Sequence, residues 1–262
     1  MYPYQIIAGL DLYSILLCVA VIAAMVIYRM MADRIGIKAK LQNLCVYTAV
    51  AAVIGGYFSA VLFQAFYNIK KYGRFILNSQ TGATFYGGLI GGAAIFLLIY
   101  FIAGRRIFKS REHLAGFFDV ADAAACSISL AHAIGRIGCL MAGCCHGMRT
   151  DKWFGIYMVD LGYKVVPIQL FEAIFLAFLC LFFVLWIRAK KTYCLQIYMI
   201  VYGAWRFAVE YLRDDYRGTT FVEFLTPSQL TALFMILGGV VLILLQRKLI
   251  EVWTPKAEKA EE

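Results

Sequence analysis

The chain has 262 residues, of which 63% are hydrophobic and 16% are charged, and its formal net charge is +9. A soluble globular domain is nearer half apolar and a quarter charged, so this composition excludes a soluble protein and indicates an integral membrane protein. The surplus of Lys and Arg lies beside apolar segments, where anionic lipid headgroups attract it, and this placement argues against a nucleic-acid partner.

Seven apolar segments are long enough to cross a hydrocarbon core of ~30 Å. They predict transmembrane helices near residues 11–31, 44–67, 84–103, 117–141, 167–188, 194–212 and 227–246. The first segment follows neither a basic stretch nor a cleavage site, so we expect it to be retained. The predicted fold is an all-α integral membrane protein. It has one transmembrane domain over residues 1–250, a short charged tail over 251–262 and an interfacial loop over about 145–166.

The basic residues also predict an orientation. Most Lys and Arg residues outside the helices lie in the segments that follow the first, third, fifth and seventh predicted helices. Cytoplasmic loops are enriched in these residues, so the N-terminus is predicted outside and the C-terminus inside.

One arginine, Arg136, lies inside an apolar segment, in the sequence GRIGCLMAGCCHG that covers residues 135–147. A guanidinium in lipid is costly unless it faces a cavity or a partner, so Arg136 marks a candidate site. His132 lies one helical turn earlier on the same face. The glycines after Arg136 let a backbone, a helix or a phosphate come close. The alternative is that Arg136 extends to headgroup phosphates at the interface.

A second arginine stands in YGAWRFAVEYLRDD, residues 202–215. On a helix, Tyr202, Arg206, Glu210 and Arg213 share one face. Arg206 and Glu210 can pair within the helix. This leaves open the alternative that they only neutralise each other in a polar stripe that is buried in the helix bundle. Arg213 would still be available to an anion.

Two further predicted helices begin with polar residues. PIQLFEAIF puts Gln169 and Glu172 in the first turn of the fifth predicted helix, where an acidic residue favours the helix dipole; a capping role and a site role both stay open. TGATFYGGLIGG, residues 81–92, carries Tyr86 ahead of Gly87 and Gly88. Its glycines fit an unwound segment that lines a cavity, or close helix packing.

The cysteines of GRIGCLMAGCCHG could suggest zinc or copper. They form no CxxC pair, and Cys144 and Cys145 do not readily share one tetrahedron if they lie on a helix. Adjacent cysteines also bond to each other only with strain. We therefore predict no metal and no cofactor, and expect most of these thiols to pack among the glycines.

Together, GRIGCLMAGCCHG, TFYGGLIGG, PIQLFEA and YGAWRFAVEYLRDD resemble the prolipoprotein diacylglyceryl transferase family. The main signature of the family is approximately G-R-x-G-N-F-x-N-G-E-x-x-G, and it matches here at Gly135, Arg136, Gly138, Gly143 and Gly147. The resemblance covers nearly the whole chain. It implies a multi-pass enzyme of the bacterial inner membrane that moves the diacylglyceryl group of phosphatidylglycerol to the lipobox cysteine of a preprolipoprotein and releases glycerol phosphate.

The resemblance also implies roles for residues. Arg136 would bind the donor phosphate and stabilise the leaving group, as guanidinium groups do. Arg206 would polarise the ester oxygen or hold the phosphate from the other side, and Glu210 would orient it. The predicted catalytic residues are Tyr86, Arg136, Arg206 and Glu210; the predicted substrate-binding residues are Gly87, Gly88, His132, Gly138, Cys144, Glu172, Tyr202 and Arg213.

The chain departs from the family pattern at several positions. Tyr86 stands where the family has His, and Cys139, Ala142 and Cys144 stand for Asn, Asn and Glu. The acceptor thiol, with a free pKa of ~8.5, must lose its proton. Tyr86, His132, His146 or the electrostatic attraction of a thiolate by the two arginines could assist this deprotonation.

These departures keep other interpretations open. Cys144 could first take an acyl or glyceryl group in a covalent route. The chain could be a related lipid-group transferase with a different acceptor, or a membrane protein that binds anionic lipid, or a transporter, without catalysis.

Overall fold

The computed structural model describes residues 5–7, 10–75, 77–78, 81–108, 111–214 and 224–254. Most of the described chain is helical, which confirms the predicted all-α fold. Its helices are α1 Leu12–Ile35, α2 Ala39–Tyr72, α3 Phe85–Ile107, α4 Glu112–Ala115, α5 Phe117–Met141, α6 Ile168–Arg188, α7 Cys194–Val209 and α8 Pro227–Trp253. Its strands form two antiparallel hairpins, β1 Gln5–Ile7 with β2 Leu10–Asp11, and β3 Ile156–Met158 with β4 Tyr163–Val165.

Six of the described helices are long and apolar enough to cross a membrane: α1, α2 as far as Ile69, α3, α5, α6 and α8. The predicted crossing 194–212 corresponds to α7, which has 16 residues, followed by a 3-10 turn, Glu210–Leu212. At 1.5 Å per residue α7 is only about 24 Å long. Large apolar side chains stand exposed on the crossing helices, such as Phe178 at 68% and Leu244 at 69%, as expected for surfaces that lipid covers.

Some sequence predictions lie outside the described residues. They are the tail residues 255–262 and, within the charge pattern, Lys109 and Arg217. The orientation and the total of seven crossings stay predictions.

The chain divides into two compact units, one over residues 1–36 and 118–249, the other over 37–117 and 250–262. In the second unit α2 and α3 pack closely through glycines. A Cβ atom on Gly56 would lie 3.1 Å from the carbonyl oxygen of Gly88, and a Cβ atom on Gly88 would lie 3.3 Å from the Cβ atom of Ala60. From Phe85 onward the TGATFYGGLIGG segment is regular helix, so the expectation of an unwound segment is wrong and close packing explains its glycines. The single-domain organisation stays a prediction.

In the first unit α7 begins against a carboxylate from α5. Asp122 is 4% exposed and accepts hydrogen bonds from the backbone N–H groups of Tyr193 at 3.0 Å and Leu195 at 3.3 Å. The first N–H groups of a helix have no partner inside the helix, so this carboxylate supplies one. Gln196 also donates to the side chain of Gln246 on α8 at 2.5 Å. These contacts fix α7, which carries Tyr202 and Arg206.

The loop after α5 is tied to the ends of α6 and α7. The N–H of Gly147 donates to Val166 O at 2.9 Å, and the N–H of Met148 donates to Leu212 O at 2.9 Å. A Cβ atom on Gly147 would lie 2.7 Å from Leu212 O. Only glycine fits at this crossing of three segments, which explains the last glycine of GRIGCLMAGCCHG.

Candidate active site

Arg136 of α5 forms a buried ion pair with Glu172 of α6. Its Nη2 donates a hydrogen bond to Oε1 at 3.0 Å, and its Nε lies 2.9 Å from Oε2. The Arg136 side chain is 12% exposed and that of Glu172 is fully buried. Arg136 therefore does not extend to lipid headgroups, and that alternative is wrong. Glu172 lies in the second turn of α6, not the first, so its capping role is also wrong.

Two tyrosines of α7 join this pair to His132. The hydroxyl of Tyr202 donates to Glu172 Oε1 at 2.6 Å and lies 3.4 Å from His132 Nε2. The hydroxyl of Tyr198 lies 3.4 Å from His132 Nδ1. The rings of Tyr198 and Tyr202 stack with centroids 5.4 Å apart. One turn of α7 thus presents two phenols to an imidazole and a carboxylate.

The second arginine centre lies one turn further along α7. Arg206 Nη2 donates to Glu210 Oε2 at 2.7 Å and to Ser228 Oγ at 2.9 Å. Thr226 donates to Glu210 Oε1 at 2.9 Å, and Nε of Arg213 lies 3.8 Å from Glu210 Oε2. The predicted pairing of Arg206 with Glu210 is confirmed, although Glu210 itself lies in the 3-10 turn after α7.

The two centres form one charged network. The positive charges of Arg136 and Arg206 both act on Glu172. The network contains three arginines and two glutamates, which leaves one net positive charge. Its members are Arg136, Arg206, Arg213, Glu172 and Glu210. Nη1 of Arg206 is buried and has no hydrogen-bond partner among the described residues. Buried donors in proteins are nearly always paired, so this one is a candidate ligand contact.

An open apolar groove is lined by residues of α6 and α7. Phe171, Ile174 and Phe175 of α6 line it together with Trp205 of α7. The rings of Phe175 and Trp205 stack at 4.2 Å with 6° between their planes. Trp205 directly precedes Arg206 in the sequence of α7.

The sequence-predicted residues fall into both units. The first unit holds most of them: His132, Arg136, Gly138, Cys144, Glu172, Tyr202, Arg206, Glu210 and Arg213. Tyr86, Gly87 and Gly88 belong to α3 in the second unit. Gly87 packs against Phe63 of α2. Gly138 packs against Tyr13 of α1, where a Cβ would lie 3.0 Å from Tyr13 Cδ2.

Cys144 lies just beyond α5, where Gln169 donates a hydrogen bond to its carbonyl oxygen. A hydrogen bond with Cys139 lowers the pKa of the Cys144 thiol, but the thiol of Cys145 and burial outweigh it and raise the pKa above its ordinary value. The thiol is therefore protonated near neutral pH. This state disfavours the covalent route in which Cys144 attacks the lipid unaided.

Sequence reasoning missed several members of the site. Tyr198 lies four residues before Tyr202, so extending the polar stripe of α7 by one turn would have found it. Ser228 and Thr226 lie at the start of α8, and their contacts with Arg206 and Glu210 leave no signal in residue spacing.

Sequence comparison relates the chain to known proteins. The family model for prolipoprotein diacylglyceryl transferase matches residues 4–245. The chain is 30% identical over 247 residues to phosphatidylglycerol-prolipoprotein diacylglyceryl transferase 2 of Clostridium perfringens, covering 90% of this chain and 91% of that protein. It is 31% identical over 248 residues to the transferase of Finegoldia magna, covering 92% and 94% of the two chains. It is 32% identical over 203 residues to that of Clostridium tetani, covering 73% and 76%.

Proposed function

Since this chain belongs to the prolipoprotein diacylglyceryl transferase family, we propose that it transfers the diacylglyceryl group of phosphatidylglycerol to the lipobox cysteine of a preprolipoprotein. The chain is a membrane-embedded transferase. The reaction releases glycerol phosphate, and we place it at the outer leaflet of a bacterial cell membrane, where the predicted orientation puts the C-terminal end of α5.

The observation that carries the proposal is the net positive charge of a buried network. Phosphatidylglycerol has one negative charge at its phosphate, which complements the one positive charge left by three arginines and two glutamates. The unpartnered Nη1 of Arg206 supplies a donor for a phosphate or ester oxygen. The apolar groove at Trp205 supplies surface for an acyl chain next to the headgroup.

The chemistry needs charge stabilisation more than a nucleophile from the protein. The acceptor sulfur forms a bond to the glyceryl carbon that carries the phosphate. The carbon–oxygen bond breaks, and its electron pair stays on the phosphate oxygen. The leaving glycerol phosphate therefore gains negative charge, which the guanidinium groups of Arg136 and Arg206 stabilise in a site with little water.

The glutamates position these arginines. Glu172 engages Nε and Nη2 of Arg136, which leaves Nη1, the other terminal nitrogen, to face the phosphate. Tyr202 in turn holds Glu172. Glu210 and Ser228 hold Nη2 of Arg206 in the same way. We propose His132 and Tyr86 as candidates to assist loss of the thiol proton.

The first experiment measures transfer directly. Purified protein in detergent is mixed with phosphatidylglycerol and a lipobox peptide, and mass spectrometry detects a diacylglyceryl unit on the cysteine. We expect Arg136→Ala to abolish transfer while the protein stays folded and inserted. Arg149→Ala is the matched control, because Arg149 is exposed and lies over the ring of Tyr163. Substantial activity in Arg136→Ala would contradict the phosphate-binding role.

Tyr86→Phe tests the phenol as proton acceptor in the same assay. A rate within about tenfold of the unmodified protein would leave only ~1.4 kcal/mol for the hydroxyl. That is too little for a required acceptor, and the role would then pass to another group. No transfer to the peptide despite consumption of phosphatidylglycerol would mean a different acceptor.

A further inference from the structure

Three thiols that the proposed function leaves unused converge where α5 ends. Cys139 lies in the last turn of α5, and Cys144 and Cys145 follow in the loop. Their Sγ atoms all lie within 4.8 Å of one another. Within the residues that the structure describes, no other group of three His, Cys, Asp or Glu side chains comes together in this way.

The backbone explains why two of the thiols meet. Gly143, with φ +71°, ends α5 in the left-handed conformation. The N–H of Cys144 donates to Cys139 O at 3.1 Å, and the N–H of Gly143 donates to Leu140 O at 3.2 Å. These two bonds define a Schellman motif, which brings the residue after the glycine back over the helical residue five positions earlier. Those two residues are Cys144 and Cys139.

The third thiol reaches the cluster through a strained backbone. Cys145 has φ +61°, a left-handed conformation that residues with a side chain adopt rarely and at a cost. Glycine would adopt it freely. Strain of this kind is found where a residue is needed for a site, so the conformation of Cys145 points to a use for its side chain.

We propose that Cys139, Cys144 and Cys145 bind one Zn²⁺ ion through three thiolates. Zinc–sulfur bonds of about 2.3 Å in a tetrahedral site place the sulfur atoms about 3.8 Å apart, so the thiols need to approach by about 1 Å at most. Thiolates select soft metals such as Zn²⁺ and Cu⁺ over Mg²⁺ or Ca²⁺. The complex of three thiolates with Zn²⁺ carries one net negative charge, whereas the complex with Cu⁺ carries two. Burial of charge is costly, so the half-buried site favours Zn²⁺.

The site has room for a fourth, exchangeable ligand. No other His, Cys, Asp or Glu of the described residues joins the three thiols. Cys144 is exposed, and a Cβ atom on Gly135, one turn before Cys139, would have no neighbour within 4 Å. Structural zinc sites use four protein ligands, whereas catalytic sites use three and keep one position open.

The open position suits the thiol of the acceptor, a step that rests on the proposed function. The acceptor cysteine would replace a bound water on Zn²⁺, its sulfur would form the zinc–sulfur bond, and its proton would pass to that water and leave. Coordination to zinc deprotonates a thiol at neutral pH. Cys139 and Arg136 are three residues apart and adjacent on the surface of α5, so the thiolate would form next to the arginine that receives the phosphate.

The metal content of the purified full chain tests the site. The chain is purified in mild detergent through a tag without histidine, and zinc is measured by elemental mass spectrometry. We expect about one Zn²⁺ per chain. Replacing the three cluster cysteines by Ser should remove it, whereas the matched triple variant Cys18→Ser, Cys126→Ser, Cys180→Ser should keep it. Copper in place of zinc, a disulfide among the three thiols, or no zinc uptake by the unmodified chain would overturn the proposal.

Cobalt substitution tests the site and its fourth ligand without a variant. Co²⁺ bound by three thiolates should give the strong ultraviolet absorption of thiolate-to-metal charge transfer; its absence would overturn the thiolate site. Adding a lipobox peptide should change the spectrum, and the same peptide with Ser for Cys should not. An unchanged spectrum with both peptides would overturn the acceptor role. Both readouts are independent of transfer, so zinc binding without transfer activity would refute the proposed function while supporting the site.

Discussion

The hydroxyl of Tyr202 offers a test of how the site holds its first arginine. Its proton is donated to Glu172 Oε1 at 2.6 Å, in a fully buried position, and Glu172 in turn engages Arg136. Tyr202→Phe removes this contact, together with the longer one of 3.4 Å to His132 Nε2, and keeps the aromatic ring that stacks on Tyr198. We expect Glu172 to lose its fixed orientation and Arg136 to bind the donor phosphate less strongly.

The size of the effect follows from the charge of the acceptor. A hydrogen bond to a charged group contributes about 1.5–3 kcal/mol. At ~1.4 kcal/mol per tenfold change in rate, kcat/KM should fall by about 10- to 150-fold if that energy is expressed in the transition state. Tyr198→Phe is the matched control one turn away, because its hydroxyl faces only His132 at the longer distance of 3.4 Å. We expect it to cost about threefold or less, since a long contact between neutral groups is weak.

The assay is transfer to a lipobox peptide at several concentrations of phosphatidylglycerol, with thermal unfolding as a check on folding. Equal losses in Tyr202→Phe and Tyr198→Phe would refute the reasoning, as would a Tyr202→Phe rate within about threefold of the unmodified chain.

A double-mutant cycle separates action through Glu172 from direct contact with substrate. If Tyr202 acts by holding the carboxylate, Tyr202→Phe should add little to the loss already caused by Glu172→Gln. Additive losses would mean that the phenol touches the lipid itself.

Three further outcomes follow from local contacts. Asp122→Ala should lower the free energy of unfolding by about 0.5–2 kcal/mol, because it removes the cap of α7, and Asp122→Asn should lower it less in the same chemical unfolding experiment. Gly147→Ala should destabilise by about 1–3 kcal/mol through overlap with Leu212 O, whereas Gly135→Ala, with nothing within 4 Å, should not lower the melting temperature. Burial lowers the pKa of His113, so the unfolded chain takes up a proton first as pH falls. Stability should therefore decrease below about pH 6.5, and in His113→Gln this part of the pH dependence should disappear.

The sequence predicts one of the two arginine centres well because its partner is local. Arg206 and Glu210 are four residues apart, and helical spacing alone brings them together. Arg136 and Glu172 are thirty-six residues apart, in different helices. No period in the sequence relates them, so their pairing depends on how α5 packs against α6, and it could not be predicted from spacing.

The glycine segments show a second limit of sequence patterns. In TGATFYGGLIGG and in GRIGCLMAGCCHG, glycine permits close packing, a helix end or an open cavity equally well. The structure assigns packing to Gly88, a left-handed helix end to Gly143 and open space to Gly135. What decides among these is the neighbouring helix, which the segment itself does not specify.

The thiols show how the backbone just past a helix end decides a chemical conclusion. Cys144 and Cys145 do not readily share a tetrahedron on a helix, but they lie beyond the predicted helix 117–141, and α5 ends at Met141. Gly143 turns the chain back there, because glycine is the usual residue just past the last helical turn. In this turn, the positions where the family signature has Asn and Glu carry thiols that face each other. Their replacement therefore changes one shared location beside Arg136, and a metal ion that binds a thiol there would perform the deprotonation for which the family pattern suggests His.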